Sequence, residues 1–594
     1  MRNPLSLVTL SAFLGLTHAL DLPIISLPWG KYQAEVFADD DKILLFRNVR
    51  FGQEPPRFAA PSFPKLRNNT IQSPDRNTTC IQIDSKKLKH PPVGGSPLED
   101  PHDPPNNQTE DCLFLDIYVP KWVFEEDAAD TRLPVTVWIY GGGYAFGSKD
   151  QGGPLYTGKS GLQASGYNNI FIAGNYRVGA FGWLAGDYME KAGQPNAGLY
   201  DQALLFEWVQ QYIDQVRGDK ESVSAWGESA GASSILHHLI REEGTVDPKF
   251  RTFAAQSPGF EWAWDNSSDG KLDTIYRNFS RLAKCEFAYD MDCLRKANVT
   301  DLAKANQELF DTVRQTGLFP VGPAVDGKWI KTLSSISFSE GKYWKEISGT
   351  IISHVANEGY LFSPKDMDSE AKFDAYLEEF LPGSALAPQR AAIKSKYDCK
   401  KAWSGDYRLC VAAIIAHAVF TCNTRDLAEA YPDVSYLMQY NFPFDGGAFH
   451  GTDLIPQFVT NYEEALNMIL ALGIDEGTAE VFASMIDKQV RAPFQRYFAS
   501  LTLHGHPNDP SLGDKFWPTV TNEGDKFGDV LTVTYPLNGN TFTLGSDSKN
   551  SRSTCSFWSD LAKQIVDVKP EHTHDDGHGA VVEGQFPLSN GNEL

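Results

Sequence analysis
Ser229 lies in Gly227-Glu228-Ser229-Ala230-Gly231, after the apolar run Val223-Ser224-Ala225-Trp226 and before the helix-compatible stretch Ala232-Ser233-Ser234-Ile235-Leu236. That layout is a strand, a sharp turn and a helix with a hydroxyl at the tip. Small residues two places to either side let the flanking chains pass without collision, and the amino end of the following helix favours negative charge on a bound carbonyl oxygen. The pentapeptide alone is a common pattern, so its partners decide what it means. Ile351-Ile352-Ser353-His354-Val355 reads as a buried strand followed by Asn357-Glu358-Gly359, and Val434 to Tyr440 reads as another, followed by Gly446-Gly447-Ala448-Phe449-His450-Gly451. Upstream, Val135-Thr136-Val137-Trp138-Ile139-Tyr140 runs into Gly141-Gly142-Gly143, successive glycines whose amides suit an oxyanion site.

Serine, acid and histidine in that order, each after a strand, predict an α/β-hydrolase fold: a central, mostly parallel twisted sheet flanked by helices, with helical insertions. The text around these residues resembles the type-B carboxylesterase/lipase family, which includes cholinesterases and secreted fungal lipases. The matching stretches run from Phe46-Arg47-Asn48-Val49-Arg50-Phe51 and Pro55-Pro56 through Glu110-Asp111-Cys112-Leu113-Phe114-Leu115, Trp138 to Gly143, Asn175 to Gly182 and Asn196 to Gln202. They continue through the serine turn, Asn357-Glu358-Gly359 and Phe449-His450-Gly451 to Cys555-Ser556-Phe557-Trp558. The resemblance implies a catalytic triad of Ser229, Glu358 and His450, with the backbone amides of Gly142, Gly143 and Ala230 as oxyanion donors. It implies carboxylic-ester hydrolysis through an acyl-enzyme, with no metal or organic cofactor. His237 and His238, inside the helix expected after the serine, read as packing residues. His572, His574 and His578 with Asp575 and Asp576 read as a solvated tail rather than a metal site. Asp453 stands where many relatives have glutamate, and Val178 where leucine is common; neither is expected on the proton path.

Across 594 residues the motifs are spread too widely to divide, so one α/β domain is expected over residues 20–566, followed by a polar tail over 567–594. The start, Met1-Arg2-Asn3 with an apolar run to Leu16 and Thr17-His18-Ala19, reads as a signal peptide cleaved after Ala19. Six sequons, at Asn68, Asn77, Asn107, Asn266, Asn278 and Asn298, also point to a secreted, extracellular protein, and no later stretch is expected to be long and apolar enough for a transmembrane helix. Eight cysteines, an even number, suit an oxidising compartment. By the resemblance Cys80 pairs with Cys112, Cys285 with Cys293 and Cys422 with Cys555, which leaves Cys399 for Cys410. The 42% hydrophobic content suffices for a substantial core, and a formal net charge of −23 disfavours nucleic acid or an anionic membrane as partner.

The substrate expected is a small-molecule or lipid-like ester. In cholinesterases the first disulfide loop carries the tryptophan that holds a quaternary ammonium, but the span 81–111 here contains no Trp, Tyr or Phe, which argues against choline esters. In fungal lipases the same loop is an oily lid, whereas Pro91 to Pro105 is polar and broken by proline. An esterase of soluble or dispersed esters is therefore expected. An interfacial triacylglycerol or sterol-ester lipase is the alternative, and a non-catalytic carrier of the same fold a further one. Tyr144, Phe146 and Phe449 read either as lining of the pocket or as packing around it. The sequence is silent on oligomeric state.

Overall fold
In the computed structural model, which describes residues 22–72, 78–87, 108–150, 156–260, 262–268, 270–311, 319–443, 447–509, 514–535 and 540–568, the apolar runs become the strands of one large sheet. The expected signal peptide, the sequons at Asn77 and Asn107, the proline-rich stretch 91–105 and the histidines of the tail lie outside the described residues. In chain order the strands of this sheet are β1 (Glu35–Val36), β2 (Ile43–Arg50), β3 (Phe114–Pro120), β4 (Leu133–Ile139), β5 (Ile170–Gly174) and β6 (Gly218–Glu228). They continue as β7 (Thr252–Gln256), β8 (Gly349–Val355), β9 (Ser435–Tyr440), β10 (Thr521–Glu523), β11 (Lys526–Val533) and β12 (Phe542–Asp547). The spatial order is β10-β11-β9-β8-β7-β6-β4-β5-β3-β2-β1, with β12 also on β11. From β5 to β9 and on to β11 the neighbours are parallel; β1 to β3 on one side, and β10 and β12 on the other, run antiparallel.

Helices cover both faces of a parallel sheet, so its strands must be apolar on both sides. Every residue of β5, β7 and β8 is accordingly buried. The helix Ala230–Leu239, which carries the chain from β6 back to β7, is also buried along its whole length. Its small residues allow that closeness: a Cβ on Gly231 would stand 1.9 Å from the carbonyl oxygen of Ile139 at the end of β4. The helix Arg491–His504 packs under the same strands, with Trp226 edge-on to Phe498 at 5.6 Å and Thr136 Oγ1 3.1 Å from Thr502 Oγ1.

Several motif residues turn out to be clasps rather than chemistry. Arg177 holds Asp201 with two buried bonds of 2.8 Å, Gln202 Nε2 donates to Ser234 Oγ at 3.0 Å, and Arg57 grips Glu110 at 2.7 and 2.8 Å. Buried charges of this kind are tolerated because both partners are present, and removing one is costly. Disulfides join Cys80 to Cys112, Cys285 to Cys293, Cys399 to Cys410 and Cys422 to Cys555. The last spans 133 residues and ties the helix Cys422–Ala430 to the terminal helix Arg552–Asp567. A closed loop of that length stabilises by about 4–5 kcal/mol on the chain-entropy description.

One sequence expectation needs correction. The helical run Tyr407–Ala430 is 24 residues long and apolar enough by length and composition to cross a membrane, but 72% of its apolar window is buried against the rest of the protein. Its hydropathy reflects a core helix. It is also not uniformly α: Ala416–Thr421 forms a π-helical turn between two α segments.

Candidate active site
Parallel register brings the strand ends to one edge of the sheet. Ile139 of β4 pairs with Gly227 of β6, Glu228 with Gln256 of β7, Gln256 with Ser353 of β8, and Val355 with Tyr440 of β9. Residues past these ends, Gly142 and Gly143, Ser229, Glu358 and His450, therefore lie along the carboxyl edge, where open parallel sheets place their ligand sites. The loops after β8 and β9 are bound to each other: Asn357 bridges to Phe449, and Asn357 N–H donates to Ala448 O at 3.0 Å.

Ser229 sits at φ 55°, ψ −123°, a conformation that costs a residue with a side chain roughly 1–3 kcal/mol and persists only when its surroundings enforce it. Those surroundings are the flanking glycines. A Cβ on Gly227 would meet the carbonyl carbon of Gly231 at 2.6 Å, so neither glycine has room for a side chain. Ser229 N–H is fixed to Gln256 O at 2.9 Å. At the tip, Ser229 Oγ lies 2.8 Å from His450 Nε2, and His450 Nδ1 lies 2.6 Å from Glu358 Oε2. The other carboxylate oxygen of Glu358 accepts the Val355 N–H at 2.8 Å, which fixes its orientation. The group is nearly closed to solvent, with Ser229 6% exposed and Glu358 and His450 1% each. Charge interactions within it are correspondingly strong. Hydroxyl, imidazole and carboxylate thus form one continuous hydrogen-bonded line, able to take a proton from the hydroxyl as the oxygen attacks an electrophile.

A family profile described as "Carboxylesterase family" matches residues 22–558. The chain belongs to the carboxylesterase family. It is 33% identical over 573 residues to a protein named "Secreted lipase" from Arthroderma benhamiae, covering 94% of this chain and 97% of that one. It is 29% identical over 550 residues to "Lipase 2" of Geotrichum candidum, covering 83% and 89%. In fold it is similar to the crystal structure of Aspergillus niger EstA, with a TM-score of 0.73 at 22% identity, covering 92% of this chain and 99% of that one. As a carboxylesterase-family enzyme it is a carboxylic-ester hydrolase.

For this carboxylesterase-family chain, the structure also shows what sequence reasoning missed. Two aromatic rings flank the His450 imidazole, Phe420 at 4.6 Å and Phe362 at 5.1 Å between centroids. Phe420 comes from the π-helical turn, a feature no periodicity signals. Glu228 Oε1 stands 3.4 Å from His450 Nε2, within the serine pentapeptide itself. Of the residues expected to line a pocket, Tyr144 and Phe146 are as buried as Ser229 and His450; Tyr144 lies 4.4 Å from the Trp183 ring, and a Cβ on Gly142 would meet Phe146 O. Phe449 stacks on Tyr360 at 5.7 Å. His237 and His238 are packing residues; His237 Nδ1 lies 2.7 Å from Ser233 O, and burial pulls their pKa values down to about 4 and about 3. Among the described residues no group of His, Cys, Asp and Glu is arranged to hold a metal ion.

Asp453 proves closer to the site than the sequence suggested. It is fully buried and accepts Gln256 Nε2 at 2.8 Å, from the residue whose carbonyl fixes Ser229 N–H. Burial raises its pKa to about 6, with repulsion from Glu358 adding to the shift and the Gln256 bond opposing it. A carboxyl whose folded pKa lies above its unfolded value of about 3.9 makes folding less favourable as pH rises between the two, a penalty of about 2–3 kcal/mol that is complete above pH 6. Asp453→Asn keeps an acceptor for Gln256 and removes that penalty. Its Tm relative to wild type is expected to rise between pH 4 and pH 7.5; an offset independent of pH would show that the carboxyl is not held protonated by the fold.

Proposed function
We propose that this chain is a secreted serine esterase that works through an acyl-enzyme on Ser229. The relay of 2.8 and 2.6 Å from Ser229 through His450 to Glu358 carries the reading. His450 Nε2 takes the hydroxyl proton as Ser229 Oγ attacks the ester carbonyl, Glu358 holds the imidazole with Nδ1 protonated and stabilises the imidazolium, and the oxyanion meets the amides of Gly142, Gly143 and Ala230. Collapse of the tetrahedral intermediate releases the alcohol, which receives the proton from His450. Water then repeats the cycle on the acyl-enzyme. The intact relay speaks against a carrier without catalysis. The leader-like sequence over residues 1–19, the sequons and four disulfides support passage through an oxidising secretory route.

The substrates proposed are soluble or dispersed carboxylic esters. The polar, proline-broken sequence of the first disulfide loop supports this, and so does the confinement seen near Ser229: a Cβ on Gly259 would lie 1.9 Å from Phe420 Cε1, and Gly259 N–H reaches toward Ser229 O at 3.4 Å. The ring of Phe420 thus occupies the space left by that glycine, next to His450. Phe420→Ala is expected to raise the ratio of kcat/KM for a long-chain over a short-chain nitrophenyl ester by about tenfold or more, the usual worth of pocket volume equal to a few methylenes. An unchanged ratio would place the acyl chain elsewhere. Interfacial lipase activity is the second reading, favoured by the relatives named as lipases. A triglyceride titration decides between them: hydrolysis that rises smoothly through the solubility limit supports the esterase, and an abrupt increase once an emulsion forms supports the lipase.

A further inference from the structure
Behind Glu358 lies a second imidazole and carboxylate that the proposed reaction does not use. His354, the penultimate residue of β8, is fully buried, as is Asp547 at the end of β12, and His354 Nε2 lies 2.7 Å from Asp547 Oδ2. The other ring nitrogen, Nδ1, lies 3.0 Å from Val355 O. Both partners are acceptors, and only an imidazolium donates from both nitrogens, so the geometry selects the charged ring. Asp547 is fastened in turn, with Oδ1 accepting Lys549 N–H at 2.8 Å.

The position of this pair gives it consequences. Val355, beside His354 and bonded to its ring, is the residue whose N–H orients Glu358. A continuous path therefore runs from Asp547 through His354, Val355 and Glu358 to His450 and Ser229. We propose that the His354–Asp547 ion pair is a positioning device for the acid of the relay, which clamps the end of β8 to β12 and sets a buried positive charge behind Glu358 so that His450 stays deprotonated, and the enzyme active, at mildly acidic pH. This rests on the relay reading given above.

The charged groups around the ring support that assignment. Although burial disfavours the charge, Asp547 and the more distant Glu358 hold the His354 pKa above its ordinary value. His417, on the helical run that packs nearby, is kept neutral with a pKa of about 4 by burial, with the His354 charge among the lesser repulsions. Burial also opposes ionisation of Asp547, but His354 and Lys549 hold its pKa below the usual range. The sign of the linkage follows. The raised histidine contributes stability fully below its unfolded pKa of about 6.5, lost as pH climbs through the folded value. The lowered carboxyl contributes stability above about 3.9, lost as pH falls through its folded value. The pair is at full strength between these limits.

Four proteins test this by kcat/KM against pH and by Tm: wild type, His354→Gln, His354→Gln/Asp547→Asn, and Ser229→Ala. Removing the cation alone is expected to move the acid limb upward by on the order of half to one pH unit, with KM little changed, because a buried unit charge beyond the neighbouring carboxylate shifts a pKa by less than the roughly 1–3 units of a charge in direct contact. Removing the anion as well is expected to bring the limb back toward the wild-type position while Tm stays depressed. A purely structural pair would lower Tm in both variants and leave the limb in place, which would overturn the proposal. Ser229→Ala separates the two claims: wild-type turnover in that variant would overturn the relay and the role of the pair together, whereas an inactive Ser229→Ala with an unmoved limb in His354→Gln would overturn the pair alone. If His354→Gln does not fold, Asp547→Asn supplies the test through stability: its Tm deficit is expected to be largest between about pH 4 and 6.5 and to shrink on both sides. A deficit independent of pH would overturn the ionised pair.

Discussion
Ser229→Ala is expected to reduce the kcat of ester hydrolysis by on the order of 10⁵–10⁶-fold while KM and Tm change little, because in the proposed mechanism the hydroxyl forms the covalent bond and its loss disables the relay as a unit. The expectation of near-normal stability follows from the local structure. The turn is enforced by Gly227 and Gly231 and by the Ser229 N–H bond to Gln256 O, none of which depends on the side chain. Steady-state kinetics on a nitrophenyl ester, with thermal melting alongside, measures both quantities. A variant that retains more than about a hundredth of wild-type kcat would mean that another group attacks the ester.

The second large effect is expected at Glu358. Glu358→Gln preserves shape and an oxygen for the Val355 N–H, but it offers His450 Nδ1 either a neutral oxygen or an amide donor. The first removes the charge that stabilises the imidazolium, and the second forces Nδ1 to be the acceptor and puts the proton on Nε2, where it blocks abstraction from Ser229. Loss of about 10⁴-fold in kcat is the usual consequence of such a change. Glu358→Asp is a useful companion: it keeps the charge but shortens the reach from a bond now 2.6 Å long, so an intermediate loss is expected. If glutamine and wild type differ by less than tenfold, the carboxylate orienting His450 must be another one. Glu228, 3.4 Å from Nε2, and buried Asp453 are then the groups to replace next.

How much of this was legible beforehand depends on whether the constraint was local. The serine turn demands glycine within two residues on either side, so the requirement is written as a short pattern, and the structure explains it by backbone atoms that a Cβ on Gly231 or Gly227 would meet at 1.9 and 2.6 Å. The parallel strands are buried on both faces and therefore appear as unbroken apolar runs, which is why Gly349–Val355 and Leu133–Ile139 lie where the sequence suggested. Contacts made across long stretches of chain left no such trace. His354 and Asp547 are 193 residues apart, and Phe420, which meets His450, sits in a π-helical turn within a helix whose composition reads as continuous. The apolar composition of Tyr407–Ala430 likewise gives no sign of what buries it.

The central claim is that Ser229 is the atom-bearing nucleophile of the reaction, activated by His450. Treating the enzyme with one equivalent of a dialkyl fluorophosphate and mapping the modified peptide by mass tests it most directly. A single phosphoryl adduct on Ser229, formed in step with loss of esterase activity and greatly slowed in His450→Ala, is the expected result. Complete loss of activity with Ser229 unmodified, or labelling undiminished when His450 is removed, would contradict it.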